Sequence, residues 1–346
     1  MHFISILSLA ATFLGSVSAA PALQERATAR TSAPAGAVIV DKTGAVSGSY
    51  TTVQAGVNAL SNTTESPQYL FIHPGTYVEQ VYVPALKSNL TIQGYTKDAR
   101  TYTKNQVTLS YNLALKDTTS DDLTATLRQW NTNTKVYNLI IENTFGHISK
   151  NGQNLAISAH TGNQGYYATQ FIGYQDTILA NTGAQLYAKC LVVGAIDFIF
   201  GQKALAWFEN NDIRTIAAGS ITASGRSDDT NPSWYVINNS NVQNINSSVA
   251  TYNNYLGRPW GDHARVIFQN TYLGNNIKAA GWSVWSKTLN NTDHVTFEEY
   301  RNTGPGSISS EGPRASFSSS AKSPIAIESV LGSGYLNEWW VDSSYL

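Results

Sequence analysis

The sequence predicts an all-β fold: a parallel β-solenoid with a short capping helix near its N-terminus. Three observations carry that prediction. The first is an internal match. Phe171-Ile172-Gly173-Tyr174-Gln175-Asp176 aligns with Val192-Val193-Gly194-Ala195-Ile196-Asp197 at a constant offset of 21 residues, glycine on glycine and aspartate on aspartate. A period of about 20–25 residues between short apolar strands is what one coil of a solenoid needs. The second is a series of short segments, each with two or three apolar residues closed by Gly or Asn. They begin at Tyr137, Phe171, Val192, Trp207, Tyr235 and Val266, with 15 to 34 residues between starts. Constant coils with loops of variable length explain that spread. The third is that helical periodicity is nearly absent and the strands are apolar on consecutive residues. Strands buried on both faces read that way, whereas a β-sandwich alternates.

Taken in order, Ala37-Val38-Ile39-Val40 reads as the first strand. Ser49 to Leu60 reads as a helix, with Thr51 and Gln54 as a capping box and Val53, Val57 and Leu60 as its apolar stripe. A helix there can cover the open end of a solenoid, whose strand edges would otherwise be unpaired. Tyr69–Ile72, Gly75–Glu79, Val81–Val83 and Leu90–Gly94 are the next strands. Residues 95–130 carry little pattern and read as loops and a peripheral excursion. Asn residues at the ends of later strands can stack as side-chain ladders. The Ser- and Gly-rich tail from Gly304 ends near Trp339-Trp340, a pair expected to pack back on the body.

Composition narrows the class. Of 346 residues, 42% are apolar, only 13% are charged, and the net charge is −1. Such a chain can bury a large core, and it offers no global field for nucleic acid or an acidic membrane. The apolar run Phe3–Leu14 followed by Val17-Ser18-Ala19-Ala20 reads as a secretory signal over residues 1–20. Residues 21–36 read as a flexible leader, and 37–346 as one β-helical domain. Five Asn-x-Ser/Thr sites, at Asn62, Asn89, Asn238, Asn246 and Asn290, fit an extracellular destination. Cys190 is the lone cysteine, so no intrachain disulfide forms. Its apolar neighbours make it a buried small residue rather than a catalytic thiol.

The candidate chemistry sits in the repeat. If the two matching segments stack as neighbouring coils, Asp176 and Asp197 lie about 4.8 Å apart along one face. Two carboxylates that close do not easily both ionise. An Asp after a strand is also an ordinary turn-former, and three further features favour chemistry. Gln175 precedes Asp176, and Gln153 lies one coil earlier; their amides can donate to a developing oxyanion. Leu256-Gly257-Arg258-Pro259-Trp260 supplies a guanidinium beside a large aromatic. An arginine can grip a carboxylate through two hydrogen bonds and keep it ionised. The histidines show no zinc spacing, no acidic cluster calls for calcium, and no Gly-x-Ser-x-Gly elbow exists. No cofactor or metal is expected.

At this point the motifs resemble a family. Gly75-Thr76-Tyr77-Val78-Glu79, Gln153-Asn154-Leu155-Ala156-Ile157, Tyr174-Gln175-Asp176-Thr177, Gly194 to Gly201, and Leu256 to Trp260 are similar, in order, to the motifs of pectin methylesterases. Gly304-Pro305-Gly306 after Tyr300 is similar to that family's C-terminal signature. The similarity runs from about Val40 to the end. Asn154-Leu155 departs from the Ala-Val of many members.

The resemblance implies a right-handed parallel β-helix and a secreted, cofactor-free esterase acting on methyl-esterified pectin (homogalacturonan). It implies Asp197 as nucleophile, Asp176 as proton donor and then base, Gln153 and Gln175 as oxyanion donors, and Arg258 as the group orienting Asp197. Trp260, Phe200, Tyr174 and Trp282 are expected to bind substrate, since sugar rings pack on aromatic faces, and Trp285 is a further candidate. Glu79 is expected to be a structural partner for a turn. A monomer is expected. Two rivals remain: a solenoid glycosidase or lyase, which also uses close carboxylates, and a non-enzymatic carbohydrate-binding solenoid.

Overall fold

A computed structural model describes residues 29–308 and 313–346. The signal reading and the first half of the leader therefore lie outside the described residues. Three parallel sheets of eleven, seven and eight strands run the length of the chain. Each complete turn of the solenoid gives one strand to each sheet, and the eleven-stranded sheet continues past both ends of the seven-stranded one. One coil contributes Gln164–Tyr167, Gln170–Ile172 and Ile178–Ala180, and the next contributes Thr182–Ala188, Leu191–Gly194 and Ile199–Gly201. Their pairings, Gln164 with Gln185, Phe171 with Val192 and Ile178 with Ile199, all keep the offset read from the sequence. The fold is a parallel β-helix.

The interior is filled by like residues stacked coil on coil. Tyr166, Tyr187 and Phe208 form a column with near-parallel rings at 4.9 and 4.5 Å. Such pairs add about 0.5–1.5 kcal/mol beyond the area they bury. The tyrosine hydroxyls are not orphaned: Tyr166 donates to Gln164 Oε1 and Tyr187 to Gln185 Oε1. Those glutamines donate in turn to carbonyls at the corners of the coil, Gln129 and Asn131 for Gln164, Ala159 and Thr161 for Gln185. Cys190 is fully buried, and burial pushes its thiol up to about 12, which leaves it inert at neutral pH.

Corners between strands are made by single residues in the left-handed region, mostly Asn, among them Asn133, Asn138, Asn163, Asn210, Asn239 and Asn270. Asn tolerates that conformation because its short amide bonds locally. A side-chain ladder does occur, with Asn163 donating to Asn133. The corner at Asn138 splits the segment that begins at Tyr137, whose residues fall into two strands, Thr134–Tyr137 and Ile140–Asn143. The later segments at Trp207, Tyr235 and Val266 belong to the eleven-stranded sheet, whereas those at Phe171 and Val192 belong to the eight-stranded one. The series read from the sequence thus mixes two faces of the same coils. Residues 95–130 are not only an excursion either, since Val107–Tyr111 and Leu127–Gln129 continue two of the sheets.

The N-terminal end is covered. The N-terminal helix is shorter than expected, Val53–Asn58, and is capped by Thr52 rather than Thr51. Glu79 supplies the rest of the cap, accepting from the Val53 and Gln54 amides at 2.7 and 2.9 Å. A carboxylate at a helix N-terminus also meets the positive end of the dipole. Gln54 is not in a capping box; it bonds Tyr82. Before the first strand, Arg30 is not loose, pairing with Thr96 and lying 4.0 Å over the Tyr137 ring. The C-terminal tail lies along the outer side of the eleven-stranded sheet, where Val330, Leu331, Tyr335, Trp340 and Tyr345 pack on Tyr167, Leu186, Trp207 and Val236, as the tail's tryptophans suggested. No helix among the described residues is long and apolar enough to cross a membrane.

Candidate active site

The seven-stranded sheet carries the site. Its register aligns Tyr82, Arg128, Ser158, Leu179, Phe200, Ala223 and Arg258 in one row along the solenoid axis. Alternate residues such as Ile157, Ile178 and Ile199 fill the core. Leu179, Phe200 and Ala223, with Ala125 and Leu155, form a separate apolar floor against which Trp260 and Trp285 pack.

The two aspartates stand where the chain turns from the eight-stranded sheet into this one. Both are in the left-handed region, Asp176 at φ 64° and Asp197 at φ 50°. A non-glycine residue held there costs about 1–3 kcal/mol, a strain common at functional sites. Stacking is direct: the Asp176 amide donates to the Ile196 carbonyl at 3.0 Å, and Gln175 bridges Ile196. The tight turn explains Gly194, where an added Cβ would stand 2.3 Å from the Phe198 Cβ. Asn154, the departure from the common motif, accepts from the Gln175 amide at 3.0 Å and so fixes the Gln175 loop.

A cavity of about 200 Å³ brings together Gln153, Gln175, Asp176, Asp197, Arg258 and, around them, Phe200 and Trp260. Arg258 grips Asp197 through both oxygens, Nε to Oδ1 at 2.9 Å and Nη2 to Oδ2 at 2.6 Å. It is itself held by the Trp285 carbonyl at 3.0 Å and lies 4.3 Å over the Trp285 ring. Neither glutamine amide nitrogen has a protein acceptor among the described residues, which leaves both free to donate into the cavity. Oδ1 of Asp176 is buried with no hydrogen-bond partner.

The electrostatics separate the two carboxyls. Burial, then the neighbouring charge of Asp197, then Asp121, hold Asp176 well above the usual carboxylate range, with Arg258 only partly opposing. Burial also raises Asp197, but there the Arg258 hydrogen bonds and charge push back directly. Asp197 is thus the first of the pair to ionise, and Asp176 keeps its proton beside it. One ionised and one protonated carboxyl within a small cleft suit a nucleophile and an acid.

Two expected residues fall elsewhere. Trp282 is inside the solenoid, 1% exposed, stacked on Phe297 at 4.3 Å with its edge toward Phe268. It packs the core and cannot touch a sugar. Tyr174 lies outside the cavity, with its ring against His147 at 4.8 Å. Trp285 does line the cavity, and so does Asp121, which the sequence did not single out. Asp121 lies in the stretch read as a peripheral loop, and no repeat or motif marks it. Its Oδ1 is buried and unpartnered, and burial raises its carboxyl too.

The pectinesterase family profile matches residues 37–323. The chain belongs to the pectinesterase family. It is 48% identical over 324 residues to a pectinesterase of Aspergillus niger, covering 92% of this chain and 95% of that one. It is 47% identical over 329 residues to a pectinesterase of Aspergillus aculeatus, covering 94% and 96%. The crystal structure of a pectin methylesterase from Aspergillus niger superposes with a TM-score of 0.82 at 35% identity, over 92% of this chain and all of that one. The fold is accordingly the right-handed parallel β-helix of these esterases. This esterase hydrolyses methyl esters of galacturonate units in pectin, releasing methanol and leaving the acid.

Proposed function

We propose that Asp197 is the nucleophile of this pectin methylesterase and that Asp176 is its acid and base. The observation that carries the assignment is the Arg258 grip on Asp197 beside an unpartnered, buried Asp176. A free Asp197 lone pair attacks the carbonyl carbon of the galacturonate methyl ester, and negative charge gathers on the carbonyl oxygen. The Gln153 and Gln175 amides donate to that oxygen. As the bond to the methoxy oxygen breaks, Asp176 gives its proton to it, and methanol leaves. An anhydride now joins the galacturonyl group to Asp197. Asp176, deprotonated, takes a proton from water, and the hydroxide attacks the galacturonyl carbon. Asp197 leaves as a carboxylate, with Arg258 receiving its returning charge. Trp260 and Phe200, whose ring centroids are 6.2 Å apart, provide the apolar wall for the sugar.

The same reading makes the protein a secreted monomer. Residues 1–20 are its export signal, and glycans fit Asn62, Asn246 and Asn290, whose side chains are exposed. Asn238 does not fit, because it is buried and donates to Glu209 at 2.7 Å. The test of function follows methanol and acid release from methylated pectin together with viscosity and reducing ends. Methanol and acid rising in equal amounts, with viscosity and chain ends unchanged, is the expected result. New chain ends appearing in step with turnover would make this a glycosidase or lyase instead.

A further inference from the structure

Asn151-Gly152 is the single Asn-Gly pair in the sequence, and it stands directly before Gln153. Such a pair is chemically short-lived, because glycine has no Cβ to keep its amide nitrogen away from the asparagine side chain. The local structure restrains neither reacting group. Asn151 is exposed, on a loop at φ 54°, and its side-chain amide makes no hydrogen bond among the described residues. The Gly152 amide likewise has no acceptor among them. Packing also requires the glycine. An added Cβ at Gly152 would stand 2.8 Å from the Ile148 carbonyl oxygen and 3.2 Å from Gln175 Oε1, so no bulkier and slower-reacting residue fits.

The backbone on either side is pinned. The Lys116 amide donates to the Asn151 carbonyl at 3.0 Å, and the Leu115 amide to the Gln153 carbonyl at 2.9 Å. One residue on, the Asn154 amide donates to the Gln175 carbonyl at 3.0 Å. Gln153 is thus strung between fixed points, which is what aims its side chain into the catalytic cavity. Any lengthening of the chain at residue 151 has to be absorbed at Gly152 and Gln153.

We propose that Asn151 is a self-modification site whose conversion to isoaspartate disables the esterase. The Gly152 nitrogen attacks Cγ of Asn151. A C–N bond forms, the bond from Cγ to the side-chain nitrogen breaks, and ammonia leaves with the proton of the Gly152 amide. Water then opens the five-membered imide. Opening at Cγ gives aspartate. Opening at the main-chain carbonyl leaves the chain running through Cβ and Cγ, as isoaspartate. One water is consumed and one ammonia released, with no redox change. Isoaspartate adds one methylene, about 1.5 Å of path, between the Lys116 and Leu115 anchors. Gln153 then moves by on the order of 1 Å, a displacement that costs about 10²-fold in rate. Aspartate keeps the chain path and adds only an exposed charge. The effect on rate rests on the oxyanion role of Gln153; the modification itself does not.

The experiment holds the purified enzyme warm at mildly alkaline pH, where the attacking amide ionises more readily, and samples it over weeks. Peptide mass spectrometry follows residues 151–152, and labelling by an isoaspartate methyltransferase tells isoaspartate from aspartate. Methanol release from methylated pectin gives kcat and KM. Isoaspartate accumulates at 151 and kcat falls in proportion, with the isoaspartate form about 10²-fold slower at unchanged KM and an unaltered circular dichroism spectrum. Asn151→Gly accepts the left-handed backbone and has no side-chain amide. It starts at wild-type activity and keeps it. Asn151→Asp, assayed fresh, is within about threefold of wild type, since an exposed charge is screened. No conversion at Asn151, decay of activity with Asn151 intact, an Asn151→Gly variant that decays as fast as wild type, or a fresh Asn151→Asp variant as slow as the aged enzyme overturns the proposal. Gln153→Ala, run alongside, tests the underlying reading. If its kcat is intact, Gln153 is no oxyanion donor, whatever Asn151 does. If its kcat is lost while the isoaspartate form stays active, only the role of Asn151 falls.

Discussion

Replacing Arg258 by Gln removes the charge beside Asp197 and leaves at most one amide donor in place of two N–H groups at 2.9 and 2.6 Å. An aspartate beside an arginine has its pKa lowered by about 1–3 units relative to the same site without it. Asp197 is buried and already pulled upward by desolvation, with the Arg258 hydrogen bonds and charge opposing, so losing Arg258 moves it further up. Turnover needs Asp197 ionised. The acid limb of kcat/KM against pH should therefore shift upward by about 1–3 units, and activity one unit below the wild-type limb should fall by about tenfold or more. Stability moves in a defined direction. A carboxyl whose folded pKa lies above its unfolded value has its stability present below the unfolded value and lost as pH rises through the folded one. The Gln variant should then lose more stability than wild type between acid and neutral pH. The assay is methanol release across pH, with thermal melts at the same pH values. An acid limb displaced by less than about half a unit, with melting unaltered, would refute the claim that Arg258 holds the nucleophile ionised.

Gln175→Ala and Gln153→Ala should each lower kcat by about 10²–10³ with little change in KM, because an oxyanion donor acts on charge that develops only in the transition state; a loss confined to KM contradicts the role. Asp176→Asn should lower methanol release by about 10²–10⁴. Since the wild-type Asp176 pKa is raised, wild type loses stability as pH rises through that value, and the Asn variant should melt relatively higher toward alkaline pH. Trp282→Ala should cost about 3–5 kcal/mol of stability as a core cavity, whereas Trp260→Ala should raise KM on pectin and leave the melting temperature nearly unchanged.

The parts of the fold visible in the sequence were those fixed by stacking. A coil must return the chain to the same face after a near-constant number of residues, so Gly173 and Gly194, and Asp176 and Asp197, repeat in register. The site's core was legible for the same reason, because the turn that repeats is the turn that carries the carboxyls. Which sheet a segment joins was not legible. Trp207 and Val192 sit in equally apolar runs, and only the left-handed corners between strands sort them into different faces. Trp282 and Trp285 illustrate the same limit. Three residues apart and chemically identical, one fills the core and the other backs the arginine, a distinction set by where the chain crosses the coil. Asp121 left no trace because it reaches the cavity from an irregular segment with no counterpart in the neighbouring coils.

The most direct measurement is the turnover of Asp197→Asn, which keeps the side chain's size and a carbonyl for Arg258 but removes the attacking charge. With the fold verified by circular dichroism, methanol release from methylated pectin should fall at least about 10⁴-fold. Residual activity within about tenfold of wild type would mean that another group, not Asp197, opens the ester.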